Sequence, residues 1–526
     1  FVHQTGCPQV EEFLRPDRSF CRTLEMRIAD YFKGKKILIT GATGFMGKAL
    51  VQKILRSCPE VSTIYVVVRP KKGTSPQDRW SQITKLPLFD KLKSEQPNAL
   101  EKVVAIEGES TADQFGISEE NQQELIENIN IVYHVAASVR FTEELISAIQ
   151  LNIKSTYSML ELAKRMKNLH CFVHTSTAYS NVEKVGELVE ERVYDSPLDW
   201  KVLLKLVEHP NCHELVPAIQ PKIMSGHGTT YTLTKRVAES LTEEYSQYFP
   251  VVIMRPSLVT ATAEDPFPGW LDSHNALSLL SDAIRQGIVR VSNADKNKSL
   301  QFITLDLSIK AFLIATWNVH RKGMKSGVDV YCTNMGDDLD GIRLTWGNLA
   351  RYGLDICEEY PSERQMWYPL CVQVRNPILL NILFFFLQVV PAVLGDAVAF
   401  ATGRKPQFFN LTAKFYKALT GSLREFSGTN YHFSLVNYRN LDEILLPEDR
   451  KTFSLDQSKY HGVELLRLNA QGMMKYILHE DLSPEKLKKR KKRHRKFMLA
   501  HKAISVAVLA LSCYAASSVT SRFLPI

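Results

Sequence analysis

Short apolar runs rich in β-branched residues alternate, over the first half of the chain, with longer segments whose apolar positions recur at helical spacing. The runs lie at 35–40, 64–68, 131–136, 171–175 and 251–254. Such runs predict buried parallel strands, and the segment 48–56 after the first run has helical spacing. Strands that alternate with helices predict an α/β fold with a doubly wound parallel sheet and right-handed crossovers.

The alternation loosens after about residue 330, and a strongly apolar stretch follows at 377–400. Polar residues interrupt this stretch at Asn381, Gln388 and Asp396. Two interpretations stay open, a buried or interfacial helical hairpin and a membrane span. A span would carry those polar groups into hydrocarbon at a cost of a few kcal/mol each, which favours the hairpin. The segment 411–476 predicts a small, mostly helical domain.

Charge is concentrated near the end of the chain. The formal net charge is +9, and the run 486–496 (KLKKRKKRHRK) holds much of it. The segment 503–519 follows without a charged residue, which is typical of a short transmembrane helix of roughly 17–25 residues. Cations beside a span stay on the cytosolic side, so the body of the protein is expected in the cytosol. An amphipathic or buried terminal helix is the alternative.

Other compositional signals are negative. The basic run indicates a local electrostatic contact rather than a nucleic-acid-binding surface. The nine cysteines include no CxxC pair and no cluster at zinc spacing, so no metal site is predicted. Residues 1–30 are polar and charged, and no secretory signal is expected within them.

A glycine-rich loop joins the first predicted strand to the first predicted helix. Its residues are Thr40, Gly41, Ala42, Thr43, Gly44, Phe45, Met46 and Gly47. The spacing is GxxGxxG, in which one glycine makes the turn, one lets the backbone approach a pyrophosphate, and one lets helix pack on strand. Phosphates then meet the positive end of the helix. In this strand–turn–helix context the loop predicts a dinucleotide site rather than a mere tight turn.

The end of the second predicted strand bears on the choice of nicotinamide cofactor. A carboxylate there would bind the ribose hydroxyl of NAD. This chain has Arg69, Lys71 and Lys72 and no carboxylate at that point. Three cations suit a 2′-phosphate, so NADPH is the predicted cofactor; a solvated charge cluster is the alternative.

Tyr231 and Lys235 have the YxxxK spacing that places two residues on one face of a helix. A lysine ammonium beside a tyrosine lowers the phenol's ordinary pKa of about 10, which would make Tyr231 a proton donor to a developing alkoxide. A solvated helix face is the other interpretation of the spacing. Ser176 and Thr177 end the strand at 171–175, where their hydroxyls face the ligand crevice or cap the next helix.

Several motifs in order resemble the animal fatty acyl-CoA reductases, which are alcohol-forming extended short-chain dehydrogenase/reductases. They are TGATGFMGKALVQKILRSCPEV, IYVVVRPKKG, VYHVAASVRFTEEL, HTSTAYSN, YTLTKRVAE and MRPSLV, between residue 34 and about residue 310. The resemblance implies that the glycines hold the pyrophosphate, Arg69 the phosphate of NADPH, and that Tyr231 and Lys235 carry catalysis. It places Asn152 at the cofactor site, in a water or proton relay. The chain departs from the family pattern at Gly108-Glu109, 303–306 and Tyr431.

The resemblance implies reduction of a long-chain fatty acyl-CoA to a primary alcohol with two NADPH, through an aldehyde. Alternatives are a dehydrogenase/reductase acting on a sugar nucleotide or steroid, and a non-catalytic NADPH-binding membrane scaffold. Expected partners are the acyl-CoA and membrane lipid, with a homodimer as a further expectation and no nucleic acid. The expected location is the endoplasmic reticulum or peroxisome membrane.

The predicted division of the chain follows from these signals. It comprises an N-terminal extension (1–33), an NADP-binding reductase domain (34–330), a connecting segment (331–376), a helical C-terminal domain with an apolar hairpin (377–480), a basic juxtamembrane run (486–496) and a transmembrane segment (503–519).

Overall fold

Seven parallel strands form the central sheet in a computed structural model that describes residues 26–523 except 72, 274–275, 336–337 and 340–341. The strands are β1 (Lys36–Thr40), β2 (Thr63–Val68), β3 (Val103–Glu107), β4 (Ile131–His134), β5 (Cys171–Thr175), β6 (Pro250–Pro256) and β7 (Gly327–Thr333). Their order across the sheet is β7-β6-β5-β4-β1-β2-β3. The doubly wound α/β prediction is confirmed.

The two outermost strands are the ones that the apolar pattern did not predict. In β3 Val104 and Glu107 are exposed, and in β7 only the last four residues are buried. Each lies at an edge of the sheet and is more exposed than the inner strands, which helices cover on both faces.

Two hydrophobic cores lie on the two faces of the sheet. Ile37 and Ile39 of β1 point into the core beneath Phe45–Ser57 and the long helix Leu305–Arg321. Leu38 points into the opposite core, which includes Thr230–Glu244. Ile37, Leu38 and Ile39 have no exposed surface. Because side chains alternate along a strand, this short run supplies both layers.

The helices of the first half connect the strands. They are Ile28–Phe32, Phe45–Ser57, Pro76–Ile83, Asp90–Glu95, Glu119–Asn128, Leu145–Ile149, Ser155–Arg165, Trp200–Glu208, Cys212–Ile223, Thr230–Glu244, Ala276–Arg285 and Leu305–Arg321. A π-helical segment, Gln150–Lys154, joins two of them into one helix over 145–165.

The second half is mostly helical, as predicted for 411–476. Its helices are Trp346–Glu359, Pro377–Phe384, Val390–Ala401, Phe408–Thr420, Ser422–Gly428, Val436–Glu443, Pro447–Phe453, Gly462–Gly472 and Pro484–Phe523, with π-helical segments at Phe385–Val389 and Met473–Ile477. Short two-stranded pairings join Leu258–Thr260 to Phe302–Thr304, Val291–Ser292 to Val372–Gln373, Leu188–Val189 to His432–Phe433, and Asp338–Leu339 to Ile342–Arg343.

A half-buried carboxylate ties the two halves together. Glu191 accepts hydrogen bonds from the backbone N–H groups of Cys332 in β7 (2.9 Å) and of Asn437 (2.6 Å) and Tyr438 (3.1 Å) in the C-terminal domain. Burial raises the pKa of Glu191 to about 7, against the effect of these donors. One side chain therefore fixes the helix Val436–Glu443 to the edge of the sheet.

The apolar stretch is one helix, Pro377–Ala401, that folds back against Phe408–Thr420. Asp396 accepts bonds from the N–H groups of residues 407–409, which fixes the turn between the two helices. One face packs on the protein through Leu380, while residues such as Phe386 (63% exposed) point outward. The hairpin therefore has its second arm beyond the apolar stretch itself.

The basic run and the apolar tail form a single helix, Pro484–Phe523. Its first turns dock on the body, where Arg490 pairs with Glu480 (3.0 Å) and Glu363 (2.7 Å). Further along, Leu509 (65% exposed) and its neighbours project from the body. Among the described residues, Pro377–Ala401 and Pro484–Ala515 are long and apolar enough to cross a membrane. These two helices are the feature of the structure that indicates membrane association.

Candidate active site

The glycine loop leaves the end of β1 and opens directly into the helix Phe45–Ser57. Gly41 has φ +70°, and a Cβ on it would lie 2.6 Å from the backbone nitrogen of Ala136. A Cβ on Gly47 would lie 2.2 Å from the carbonyl oxygen of Gly41. Gly44 caps the helix without a side-chain acceptor, so the first-turn N–H groups stay available to an anion. This cradle fits a pyrophosphate.

Thr40 fastens the loop to the neighbouring strand. Its Oγ1 shares a hydrogen bond of 2.9 Å with Nδ1 of His134 in β4 and accepts one of 3.2 Å from the N–H of Ala136. Thr40 is fully buried, so its hydroxyl supports the loop rather than facing a ligand. The other predicted loop residues are half-buried at the rim: Thr43, Phe45 and Met46.

Two arginines meet at the carboxyl end of β2. Arg69 is 57% exposed and pairs through Nε with the carboxylate of Glu109, which follows β3, at 2.6 Å. The guanidinium of Arg79, from the helix Pro76–Ile83, donates to the carbonyl oxygen of Arg69. Sequence reasoning missed Arg79, because no motif marks a cation on the following helix. Lys72 lies outside the described residues.

Tyr231 and Lys235 lie one turn apart on the helix Thr230–Glu244. Thr229 caps this helix by a reciprocal arrangement with Thr232, which fixes where the helix begins. The side chain of Thr177, just beyond β5, lies close enough to Tyr231 to lower the pKa of its phenol. The structure therefore brings Tyr231, Lys235 and Thr177 together at the carboxyl edge of the sheet.

Burial dominates the pKa values of this pair. It raises the pKa of Tyr231 to about 12, while the side chain of Thr177 acts in the opposite direction. It lowers the pKa of Lys235 to about 8, against the attraction of Glu239. The sequence predicted that Lys235 lowers the phenol's pKa. In the folded protein burial outweighs any such effect, because the phenolate loses its hydration.

Ser176 and Thr177 point in different directions. The Ser176 hydroxyl donates to Glu239, whose carboxylate pairs with Arg255 at 2.6 Å; both charged side chains are 1% exposed. Thr177, besides meeting Tyr231, accepts a hydrogen bond from the N–H of Tyr179 at 3.3 Å and so caps the next short helix. Thr177 is thus the hydroxyl beside the tyrosine, and Ser176 joins a buried ion pair behind it.

Asn152 lies in the π-helical segment Gln150–Lys154, behind the tyrosine helix. Its Oδ1 accepts from the N–H of Ser138 at 2.8 Å, and its Nδ2 donates to the hydroxyl of Thr234 at 2.9 Å. The side chain therefore joins the loop after β4 to the helix that carries Tyr231. π-Helical turns often mark functional sites.

Two buried histidines form a pair beneath Lys235 that sequence reasoning missed. His134 and His174 are register partners on β4 and β5, with ring centroids 5.8 Å apart. Burial lowers the pKa of both, to about 3 for His134, and the charge of Lys235 acts in the same direction. Both rings are therefore neutral near pH 7. The signal was present in the runs IVYHVA and CFVHT, where a histidine interrupts an apolar strand.

Known protein families and relatives match this chain over most of its length. An NAD-binding family model described as male sterility protein matches residues 39–312, and a second model of the same description matches residues 387–480. Fatty acyl-CoA reductase 1 of Xenopus laevis is 36% identical over 458 residues, which cover 87% of each chain. The chain belongs to the fatty acyl-CoA reductase family. Its Homo sapiens relative, fatty acyl-CoA reductase 1, is 34% identical, again over 87% of each chain.

Relatives from outside the vertebrates resemble the chain as well. The Drosophila melanogaster fatty acyl-CoA reductase wat is 30% identical over 94% of this chain and 93% of its own. Among solved structures, the terminal R domain of the myxalamid PKS-NRPS pathway superposes with a TM-score of 0.56 at 18% identity, covering 85% of this chain and 92% of that domain. That likeness shows the fold that this fatty acyl-CoA reductase family member shares with reductase domains.

Proposed function

We propose that this protein reduces a long-chain fatty acyl-CoA to a primary fatty alcohol with two NADPH, through an aldehyde. The arrangement of Tyr231 carries the proposal: the side chain of Thr177 lies beside it, and Lys235 lies one helical turn away at the edge of the sheet that bears the glycine loop. Relatives named fatty acyl-CoA reductase support the choice of substrate.

Arg69 and Arg79 support NADPH rather than NADH. Both lie at the carboxyl end of β2, where a carboxylate would be needed for the ribose hydroxyl of NAD. Guanidinium groups bind phosphate through paired N–H donors. Glu109 pairs with Arg69 in the protein alone, and a 2′-phosphate would replace this carboxylate as the partner of the guanidinium.

Protein groups handle the proton and the developing oxyanion. A bound reduced nicotinamide supplies one hydride to each reduction. In the first, the thioester carbonyl carbon accepts hydride while Tyr231 and Thr177 hold its oxygen; the tetrahedral adduct then collapses to the aldehyde, the C–S bond breaks, and the departing coenzyme A thiolate takes a proton from solvent. In the second, the aldehyde oxygen takes the proton of Tyr231, which leaves a primary alcohol. Since its pKa is raised to about 12, Tyr231 keeps that proton until the oxyanion forms.

Lys235 supplies a positive charge at the same point. The side chain is 2% exposed, and no ion pair with it occurs among the described residues. An unpaired ammonium in a buried position attracts a developing negative charge strongly, because little water screens it. The family resemblance implies that Lys235 also holds the nicotinamide ribose.

The apolar helices support attachment to a membrane with the reductase body on the cytosolic side. The exposed cations of 486–496 precede the projecting apolar end of Pro484–Phe523, which is the order that keeps the body in the cytosol. A poorly soluble acyl chain gives such attachment a purpose. The endoplasmic reticulum or peroxisome membrane, and a homodimer, stay predictions.

The decisive experiment measures stoichiometry. Full-length protein in detergent is given NADPH and an acyl-CoA of sixteen carbons, and NADPH oxidation, released thiol and lipid products are followed together. Two NADPH oxidised per thiol released, with fatty alcohol as product, is the expected result. A 1:1 ratio with accumulating aldehyde would contradict the second reduction. Turnover of a sugar nucleotide or steroid but of no acyl-CoA would contradict the substrate, and tight NADPH binding without any oxidation would contradict catalysis.

Tyr231→Phe tests the assigned proton donor. Loss of general acid catalysis by one group costs about 10²–10⁴-fold in rate. We therefore expect turnover to fall by that factor while the Kd for NADPH, measured by fluorescence, stays unchanged. Tyr248→Phe, at a tyrosine 50% exposed to solvent, is the matched control and should keep full activity. Full activity of Tyr231→Phe would refute the assignment.

A further inference from the structure

An apolar pocket lies between the helices Ala276–Arg285, Trp346–Glu359 and Gly462–Gly472, away from the described active-site groups. Most of its lining is aliphatic or small; examples are Leu280, Ile284, Leu349, Ile356, Leu466 and Met473. The sequence motifs do not predict this pocket, because its walls come from three distant segments of the chain. It belongs to the part of the fold that follows the sheet strands β1 to β6.

Three polar side chains around the pocket make bonds to other groups of the protein. Arg285 pairs with Glu480 at 2.9 Å, and Gln373 donates to the carbonyl oxygen of Trp346 at 2.9 Å. The amide oxygen of Asn469 accepts from the N–H of Ala261 at 3.2 Å. A ligand that brought a charge here would have to break these bonds, so the lining suits hydrocarbon rather than a nucleotide or phosphate.

One end of the pocket adjoins the cofactor loop. Met473, in its wall, forms a small cluster with Ala261 and Leu271, and Phe45 of the glycine loop packs against that cluster. Phe45 also stacks on Trp270 with ring centroids 5.4 Å apart. The cluster of Ala261, Leu271 and Met473 therefore separates the pocket from Phe45, which belongs to the glycine loop that forms the pyrophosphate cradle.

Another wall leads toward the tyrosine. Ser292 lines the pocket, and the carbonyl oxygen of the next residue, Asn293, accepts a hydrogen bond of 3.0 Å from the hydroxyl of Ser427. The ring of Phe426 stacks on Phe141 at 4.9 Å, and the ring of Phe141 lies 5.8 Å from that of Tyr231. Successive side-chain contacts thus connect the pocket both to the glycine loop and to the ring of Tyr231.

We infer that this pocket receives the far end of the substrate's acyl chain and that its walls set the preferred chain length. The inference rests on the proposed function, since it needs an acyl thioester at Tyr231. Burial of one methylene contributes about 0.8 kcal/mol, which corresponds to about fourfold in kcat/KM for each carbon that the pocket covers. A wall residue that shortens the pocket by two carbons therefore lowers kcat/KM for the longest chains by about 15-fold.

Gly353 allows a test that does not threaten the fold. It lines the pocket within the helix Trp346–Glu359, and a Cβ added there meets no atom within 4 Å. Leucine has a higher helix propensity than glycine, so Gly353→Leu fills the pocket without weakening the helix. Asp355→Leu, at an exposed position of the same helix, adds the same side chain outside the pocket and is the matched control.

The measurement compares acyl-CoA substrates of ten to eighteen carbons on the full-length protein. We expect Gly353→Leu to lower kcat/KM about 15-fold for sixteen and eighteen carbons and to leave ten and twelve carbons within about twofold. Asp355→Leu should match the unchanged protein at every length. An equal change at all lengths, or none, would overturn the inference. If the unchanged protein reduced no acyl-CoA, the proposed function itself would fail instead.

A second measurement does not depend on turnover. A sixteen-carbon acyl-CoA with a diazirine near its terminal methyl is photolysed on the full-length protein, and the labelled peptides are identified by mass spectrometry. Labelling within 346–359 or 462–473, reduced by Gly353→Leu, is the expected result. Labelling confined to the exposed face of Pro377–Ala401 would overturn the pocket assignment.

Discussion

Replacing Glu239 by glutamine tests the buried ion pair that fixes the tip of β5. Glu239 and Arg255 are each 1% exposed and meet through two bonds of 2.6 and 2.8 Å. Ser176 donates to the same carboxylate. Glu239→Gln keeps the shape of the side chain but leaves the guanidinium of Arg255 buried without a counter-charge. Removal of one partner of a buried pair costs about 3–5 kcal/mol.

That free energy converts into a measurable change of Tm. Globular proteins gain about 2.1 cal/mol/K of entropy per residue on unfolding, and the sheet domain has about 300 residues, so the expected loss is about 5–8 °C. Differential scanning fluorimetry of the full-length protein measures it. Glu243→Gln, at an exposed position of the same helix, is the control and should shift the Tm by less than about 1 °C.

A double variant separates charge burial from packing. If the cost of Glu239→Gln is the unpaired charge of Arg255, then Glu239→Leu combined with Arg255→Met should be more stable than Glu239→Gln alone. The double variant should reverse at least half of the decrease in Tm that Glu239→Gln causes. A decrease in Tm of less than about 1 °C for Glu239→Gln, or a double variant with a lower Tm than Glu239→Gln, would refute the explanation by an unpaired buried charge.

Three further outcomes are expected. Because burial lowers the pKa of Lys235 to about 8, kcat/KM should fall as the pH rises through about 8 and the ammonium loses its proton. Any remaining activity of Lys235→Arg should not show this decline, since arginine keeps its charge. A decline that persists in Lys235→Arg would contradict the role of Lys235. Arg69→Ala should raise the Kd for NADPH about 10- to 100-fold, which corresponds to the free energy of one hydrogen bond to a charged group, and should leave the Kd for NADH unchanged. An equal rise of the Kd for both cofactors would contradict a contact between Arg69 and the 2′-phosphate. Gly47→Ala should lower the free energy of unfolding by about 1–3 kcal/mol, because its Cβ would lie 2.2 Å from the carbonyl oxygen of Gly41. An unchanged Tm in thermal unfolding would contradict the close packing at Gly47.

Local patterns were sufficient for the centre of the fold. Ile37, Leu38 and Ile39 are buried on both faces, and such a run predicts an inner parallel strand without knowledge of its neighbours. The edge strand β7 begins with exposed and half-buried residues, whereas β3 carries a short apolar run at 103–106 that the prediction left unassigned. The apolar stretch at 377–400 predicted a hairpin, but the second arm, Phe408–Thr420, is less apolar and is recognised only from its packing and from Asp396 at the turn.

The site shows the same division between local and distant determinants. Tyr231 and Lys235 lie four residues apart on one helix, and the glycine loop joins one strand to one helix, so a short segment of sequence specifies each. Ser176 and Thr177 are adjacent residues with the same functional group, and the sequence favoured Thr177 only slightly.

Tertiary structure made that choice, because the direction of a hydroxyl depends on partners that the fold brings from elsewhere. Glu239 and Arg255 draw Ser176 away, and Thr177 is left beside Tyr231. The fold likewise determined that burial, rather than the charge of Lys235, dominates the phenol's pKa. Sequence by itself determined which groups enter the site, and only the tertiary structure decided which way they point and how readily they ionise, since both depend on distant neighbours and on the exclusion of water.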